Sequence, residues 1–268
     1  MITASFRHIR GIGPLRERQL WHAGVRSWDE LPEGIILAAS LDEKLRRGVA
    51  ESRARFSAGD LAHFARALPP VEHWRLLPQL LESAGCVDVE VGSDPDEVTV
   101  VGVLDKDGPH AFLRGRDLHN FPARTAGWSC LITFNGLAFD LPVLRRCFPR
   151  WEPPAAHVDL RPLLARVGQA GTLKQVEARL GLFRPPHLRP LSGADAVWLW
   201  QAQKRGDRAA LRRLVEYNLY DTFHLRPLAE HGYNAVVRRT GMPAQDLPTT
   251  DRGALLYDVS LAVERATR

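Results

Sequence analysis

Up to about Ala84, apolar residues recur at helical intervals. Over 41–55 and 61–68 they are separated by Arg and Glu at the three-to-four spacing that lays one apolar stripe along a helix. No strand-like alternation of any length occurs there. At Gly85 the texture changes. Val87, Val89 and Val91 alternate with polar residues, and 98–104 is an apolar, β-branched run. Asp105-Lys106-Asp107-Gly108 has turn chemistry, so 110–114 can return as a paired strand. Another apolar run, 129–134, stops at Asn135-Gly136. Beyond it the spacing predicts a Pro-bounded helix over 140–148 and a short strand near 156–160. Helices follow over 172–180, 193–204 and 208–225, with a helical tail at 252–266.

Three strands in meander, then alternating helices and strands, predict an α/β fold: a mixed sheet flanked by helices, preceded by a small all-helical domain. The boundaries drawn from this pattern are a helical module at 1–84, an α/β domain at 85–232 and a C-terminal helical tail at 233–268.

Composition narrows the class. The 268 residues are 45% hydrophobic and 25% charged, which excludes a disordered, collagenous or coiled-coil chain. Lys plus Arg is 36 against 31 Asp plus Glu, a net charge of +5 that points to an anionic partner such as nucleic acid. No apolar run reaches roughly eighteen residues, so no membrane span is expected. The first ten residues lack the apolar core of a signal peptide. Three cysteines without a C-x-x-C spacing indicate neither a disulfide framework nor a structural zinc site. The expected location is the cytoplasm, with reduced thiols.

The candidate chemistry lies in carboxylates. In a strand, residues i and i+2 share a face, so Asp88 and Glu90 point together and away from Val87, Val89 and Val91. Two such acids either face water on a half-solvated strand or repel each other until a cation sits between them. Asn135-Gly136 and Asp140 follow a buried strand, at the end where open sheets place ligands; equally, Asn-Gly makes a turn and Asp140 a helix start ahead of Pro142. Tyr217 and Asp221, four apart, are neighbours on one helix face. Asp221 falls at the edge of the packing stripe formed by Leu211, Leu214, Val215, Asn218, Thr222 and Leu225. A carboxylate there needs a partner, and no Arg or Lys lies one turn away on that face. A metal ion answers that need, and so does a backbone amide.

Taken together and in order, these elements resemble the RNase H-like exonucleases of the DnaQ-like superfamily, and more closely its YprB-type family. The D-x-E motif is matched by Asp88 and Glu90, N-x-x-x-F-D-x-P-x-L from Asn135 to Leu144, and Y-x-x-x-D by Tyr217 and Asp221, the tyrosine (DEDDy) branch. Residues 192–200 and 216–222 share the likeness, as do Gly11-Ile12-Gly13, Leu20-Trp21 and Ser27-Trp28-Asp29. One departure is Val91-Gly92-Ser93, where the family usually continues with Thr and a Gly-containing turn.

The resemblance implies an RNase H-like sheet and a 3′–5′ exonuclease that hydrolyses single-stranded DNA or RNA with two Mg2+ or Mn2+ ions. It implies that Asp88 bridges the ions, that Glu90 and Asp221 hold the first and Asp140 the second, and that Tyr217 orients the attacking water. Hard oxygen ligands suit such ions. Asp159, at a strand end, reads either as a structural residue or as a support behind the ligands. His224 reads as structural.

Arg10-Gly11-Ile12-Gly13-Pro14 looks like the hairpin of a helix–hairpin–helix motif. There glycines let a backbone approach closely and a following helix N-terminus receives a phosphate. Arg10, Gly11, Gly13 and Arg16 are therefore candidate nucleic-acid contacts, with Asn135 from the second motif. A plain packing unit, or one that binds a protein partner, is the other reading. Leu20, Trp21, Val25 and Trp28 are expected in the core. The competing functions are an inactive nucleic-acid-binding or adaptor protein on the same fold, and an endonuclease.

Overall fold

A computed structural model describes residues 2–250 and 259–268. The N-terminal segment opens with a 3-10 turn at Ile2–Ala4 and continues into α1 (Pro14–His22), α2 (Ala39–Ser57), α3 (Leu61–Ala67) and α4 (Leu77–Leu80). Strands β1 (Ala84–Val91), β2 (Val98–Asp105) and β3 (Gly108–Leu113) form the meander. They are followed by α5 (Phe121–Thr125), β4 (Cys130–Thr133), α6 (Asp140–Cys147), β5 (Ala156–Asp159), α7 (Leu160–Ala165), α8 (Leu173–Leu180), α9 (Gly193–Lys204), α10 (Arg208–Thr240) and α11 (Ser260–Thr267).

The five strands make one mixed sheet in the order β3-β2-β1-β4-β5. β1, β2 and β3 pair antiparallel, whereas β1, β4 and β5 run parallel. The parallel pairs need crossovers, and α5 and α6 with their flanking loops provide them. The register slips once, between Glu90 and Val91, leaving Thr99 as the extra residue of β2. The Thr99 hydroxyl donates to the Glu90 carbonyl at 3.0 Å and closes that bulge.

Each face of the sheet has its own packing. Val87, Val89, Val101, Val103, Phe112 and Leu131 pack under Phe121, Leu141, Leu144 and Trp151. On the other face Val100, Ala111 and Leu113 meet α9, α10 and α11. A third cluster joins Leu20, Trp28, Leu45, Phe64 and Trp74 of the helical segment to Ile132, Val158 and Tyr233 of the α/β part. The helical module therefore shares a core with the sheet domain.

One expected element differs in extent. The helix expected over 208–225 continues to Thr240, because Leu225, Leu228, Ala229, Tyr233, Val236 and Val237 extend its buried stripe through Pro227. Of the expected tail, 259–266 is described and helical from Ser260, while 252–258 lies outside the described residues. At the other end, Gly13 and Pro14 start α1 as expected, and Gly11 takes a positive φ of 98°. The element before that hairpin is a single 3-10 turn, and the carbonyls of its last residue Ala4 and of the following Ser5 accept the indole N–H groups of Trp21 and Trp28. Leu20, Trp21, Val25 and Trp28 are buried.

Candidate active site

Strand alternation sends the Asp88 and Glu90 side chains to the face covered by α10. One carboxylate oxygen from each of Asp88, Glu90 and Asp221 lies within 4.8 Å of the others. What lets the helix come so near is Gly102, the residue paired with Asp88 across β1 and β2. A Cβ built there would stand 2.2 Å from Asn218 Oδ1 and 2.3 Å from Thr222 Oγ1. Asn218 uses that proximity: its side-chain amide donates to the Asp88 carbonyl at 3.1 Å and to Oδ2 at 2.8 Å.

Asp140 enters from the opposite side, as the first residue of α6. Its Oδ1 accepts the Val89 amide at 3.0 Å, so it is tied to β1 between the two acids of the first motif. Its carboxylate is outside the trio that closes within 4.8 Å. The loop ahead of it is fixed by Asp159, whose oxygens accept the amides of Asn135 at 2.7 Å, Leu137 at 3.1 Å and Arg161 at 3.1 Å. Asn135 is held at φ 68°, and a Cβ on Gly136 would collide with Thr133 Oγ1 at 2.1 Å, which is why Asn-Gly stands there. The Asn135 side-chain oxygen accepts from Arg161 at 2.9 Å.

Burial and mutual repulsion dominate the electrostatics. Burial pushes the Asp88 carboxyl well above the usual carboxylate range, and the charges of Asp221, Glu90 and Asp140 push it further. Glu90 is raised for the same reasons, burial first and then Asp221 and Asp140. Burial also lifts Asp140 to about 7, against hydrogen bonds that pull it down. Tyr217 is buried beside these acids, and burial followed by the Asp221 charge raises its phenol far above the ordinary value. It therefore keeps its proton through the neutral range and can donate a hydrogen bond. Lys174 lies over its ring at 4.8 Å and the Arg184 guanidinium at 5.6 Å.

Asp221 does have a basic partner, contrary to the expectation from its own helix. Arg184, in the loop between α8 and α9, forms a buried ion pair with it through Nη1 and Oδ1. The same guanidinium donates from Nε to Glu177 Oε2 at 2.8 Å. Glu177 in turn meets His224 Nδ1 at 2.8 Å, which gives that histidine a structural role. Burial works against the Glu177 charge, but the bonds from His224 and Arg184 outweigh it and hold the carboxyl below its ordinary range. The search along one helix face missed Arg184 because its contact is set by a loop without periodicity.

Of the expected residues, the structure thus brings Asp88, Glu90 and Asp221 together, with Asp140 tied to the strand between the first two. Asp159 shapes the loop. Arg10, Gly11, Gly13 and Arg16 lie instead on the hairpin beside α2, where Leu41 approaches Gly11 and Arg16 donates to the Gly11 carbonyl at 2.7 Å. Sequence reading missed Arg184, Glu177 and the hold of Asn218 on Asp88. Only Asn218 left a signal, as an amide inside a largely apolar stripe.

A family model of the RNase H superfamily matches residues 86–233, more than half of the chain. The chain belongs to the RNase H superfamily. The match starts on β1 and ends within α10, so the acidic cluster, Tyr217 and Arg184 all fall inside the superfamily domain. The family B DNA polymerase from the hyperthermophilic archaeon Pyrobaculum calidifontis is similar to it with a TM-score of 0.41 and 19% identity, over 60% of this chain. That alignment spans 27% of the polymerase chain. No curated protein matches the chain.

Proposed function

We propose that this protein is a metal-dependent 3′–5′ exonuclease of the DEDDy, YprB-like type, acting on single-stranded DNA or RNA. The observation that carries the reading is the convergence of Asp88, Glu90 and Asp221 within 4.8 Å. Three carboxylates so close, two of them buried and Asp88 half-buried, are stable only when protonated or paired with cations. An all-oxygen donor set of this kind fits Mg2+ or Mn2+ rather than a thiolate-seeking metal. Asp88, Glu90 and Asp221 are the residues that would hold one ion, and Asp140 would serve a second. When bound, such ions supply an acidified water and charge neutralisation at the leaving oxygen.

The chain's own groups account for the rest. Asn218 fixes the Asp88 carboxylate, and the Val89 amide fixes Asp140. Tyr217, with its proton retained, orients a water rather than deprotonating it. Leu137 and Phe139, 52% and 38% exposed beside Asp140, offer apolar surface on which unpaired bases can stack. Phosphate contacts would come from the basic excess of the chain, which positions a strand without reading its sequence.

The polarity is tested with 5′-labelled DNA and RNA strands carrying either a free or a blocked 3′ end, with magnesium or manganese. The proposal expects a ladder that shortens from the free 3′ end and stops at the block. Large fragments from blocked strands would instead identify an endonuclease, and tight binding without digestion a non-catalytic binding protein.

A further inference from the structure

Arg184 is 6% exposed, and its ion-pair partners Glu177 and Asp221 are buried with it. Glu177 grips the guanidinium at two nitrogens, Nε to Oε2 and Nη2 to Oε1, which fixes the plane of the fork. His224 then locks Glu177. Only Nη1 remains for Asp221, and its direction is set by the other two bonds. The geometry points to Arg184 as a positioning residue: the chain His224–Glu177–Arg184 sets the orientation of the Asp221 carboxylate, so that one oxygen is held while the group stays within reach of Asp88 and Glu90.

This inference rests on the nuclease reading above and adds a residue outside the three motifs. A pair made for core stability alone would close on Glu177. Here the third contact goes to one of the three clustered acids, and the same guanidinium borders the Tyr217 ring. Groups held behind metal-binding carboxylates set the affinity of the site, and their loss typically weakens metal binding about 10–100-fold.

The sign of the change separates this role from two others. A cation that merely stands in for a metal ion, and is displaced on loading, would leave a tighter site when removed. A purely structural pair would leave metal affinity unchanged.

The test titrates Mn2+ into the full chain and into Arg184→Gln, reading free Mn2+ by electron paramagnetic resonance, with thermal melts to confirm folding. Arg184→Gln is expected to bind Mn2+ about 10–100-fold more weakly. On a labelled strand its kcat falls while KM stays unchanged, because Arg184 acts through Asp221 and not on the strand. Arg184→Lys, which restores charge without the fork, recovers only part of the affinity. Unchanged or tighter Mn2+ binding in Arg184→Gln overturns the inference. Should Arg184→Gln melt below the assay temperature, Glu177→Gln loosens the clamp at constant shape and is read the same way. A parent protein that neither binds Mn2+ nor digests a strand defeats the nuclease reading itself. A parent that does both, with an equal variant, defeats only the role of Arg184.

Discussion

The Asn218 side-chain amide donates to Oδ2 of Asp88 at 2.8 Å, from a helix that reaches the strand because residue 102 is glycine. A helix residue and a strand residue 130 positions apart are thereby locked at the centre of the acidic cluster. Any side chain at 102 has to move Asn218 and Thr222 before it can fit.

Gly102→Ala is therefore expected to lower stability by about 1–3 kcal/mol, the usual range for inserting a carbon into a packed site. It should also lower the digestion rate beyond what unfolding accounts for, because Asp88 loses its amide. Urea melts and single-turnover digestion of the same samples separate the two effects.

Asp159 holds two loop amides with one carboxylate. Asp159→Asn replaces charge-assisted bonds with weaker ones and turns one acceptor into a donor facing an N–H. A loss of about 1–3 kcal/mol is expected in urea melts, with a slower digestion rate because Asp140 sits at the end of that loop. Normal stability in this variant would show that the loop is held by other contacts.

The sheet was legible in the sequence because its strands carry period-two or fully apolar runs bounded by turn residues; Val87, Val89 and Val91 and the Asp105–Gly108 turn are examples. The first two acids of the site were readable for the same reason, since alternation alone puts Asp88 and Glu90 on one face. Asp221 could be placed on its helix but not paired. Its partner comes from the aperiodic loop after Gly181, and nothing in local spacing encodes a contact across 37 positions. The extension of α10 through Pro227 escaped notice because a proline inside a helical pattern ordinarily ends it. Here Tyr233, packed on Trp74 with ring centroids 5.9 Å apart, helps hold the next turns in place.

His8 gives the helical segment an acid-sensitive joint. Its ring lies edge-on to Trp28 and Phe64, and Nε2 is 2.7 Å from the Ser52 hydroxyl. Burial, then the charges of His63 and Arg75, lowers its pKa to about 3. Between that value and 6.5 the unfolded chain takes up a proton that the folded chain refuses, so stability falls as pH falls. The contribution is complete above pH 6.5 and fades toward pH 3. Between pH 7 and pH 4.5 the parent should lose about 1–2 kcal/mol more than His8→Gln, after allowance for partial exposure. Parallel loss in both proteins would show that His8 is not the group responsible.

The most direct test of the central claim is digestion of a 3′-labelled single strand by the parent protein and by Asp88→Asn, with magnesium and with a chelator. The account predicts release of labelled mononucleotide by the parent, no release in chelator, and a rate in Asp88→Asn lower by on the order of 10²–10³-fold. Digestion that persists in chelator, or that runs as fast in Asp88→Asn as in the parent, would contradict it.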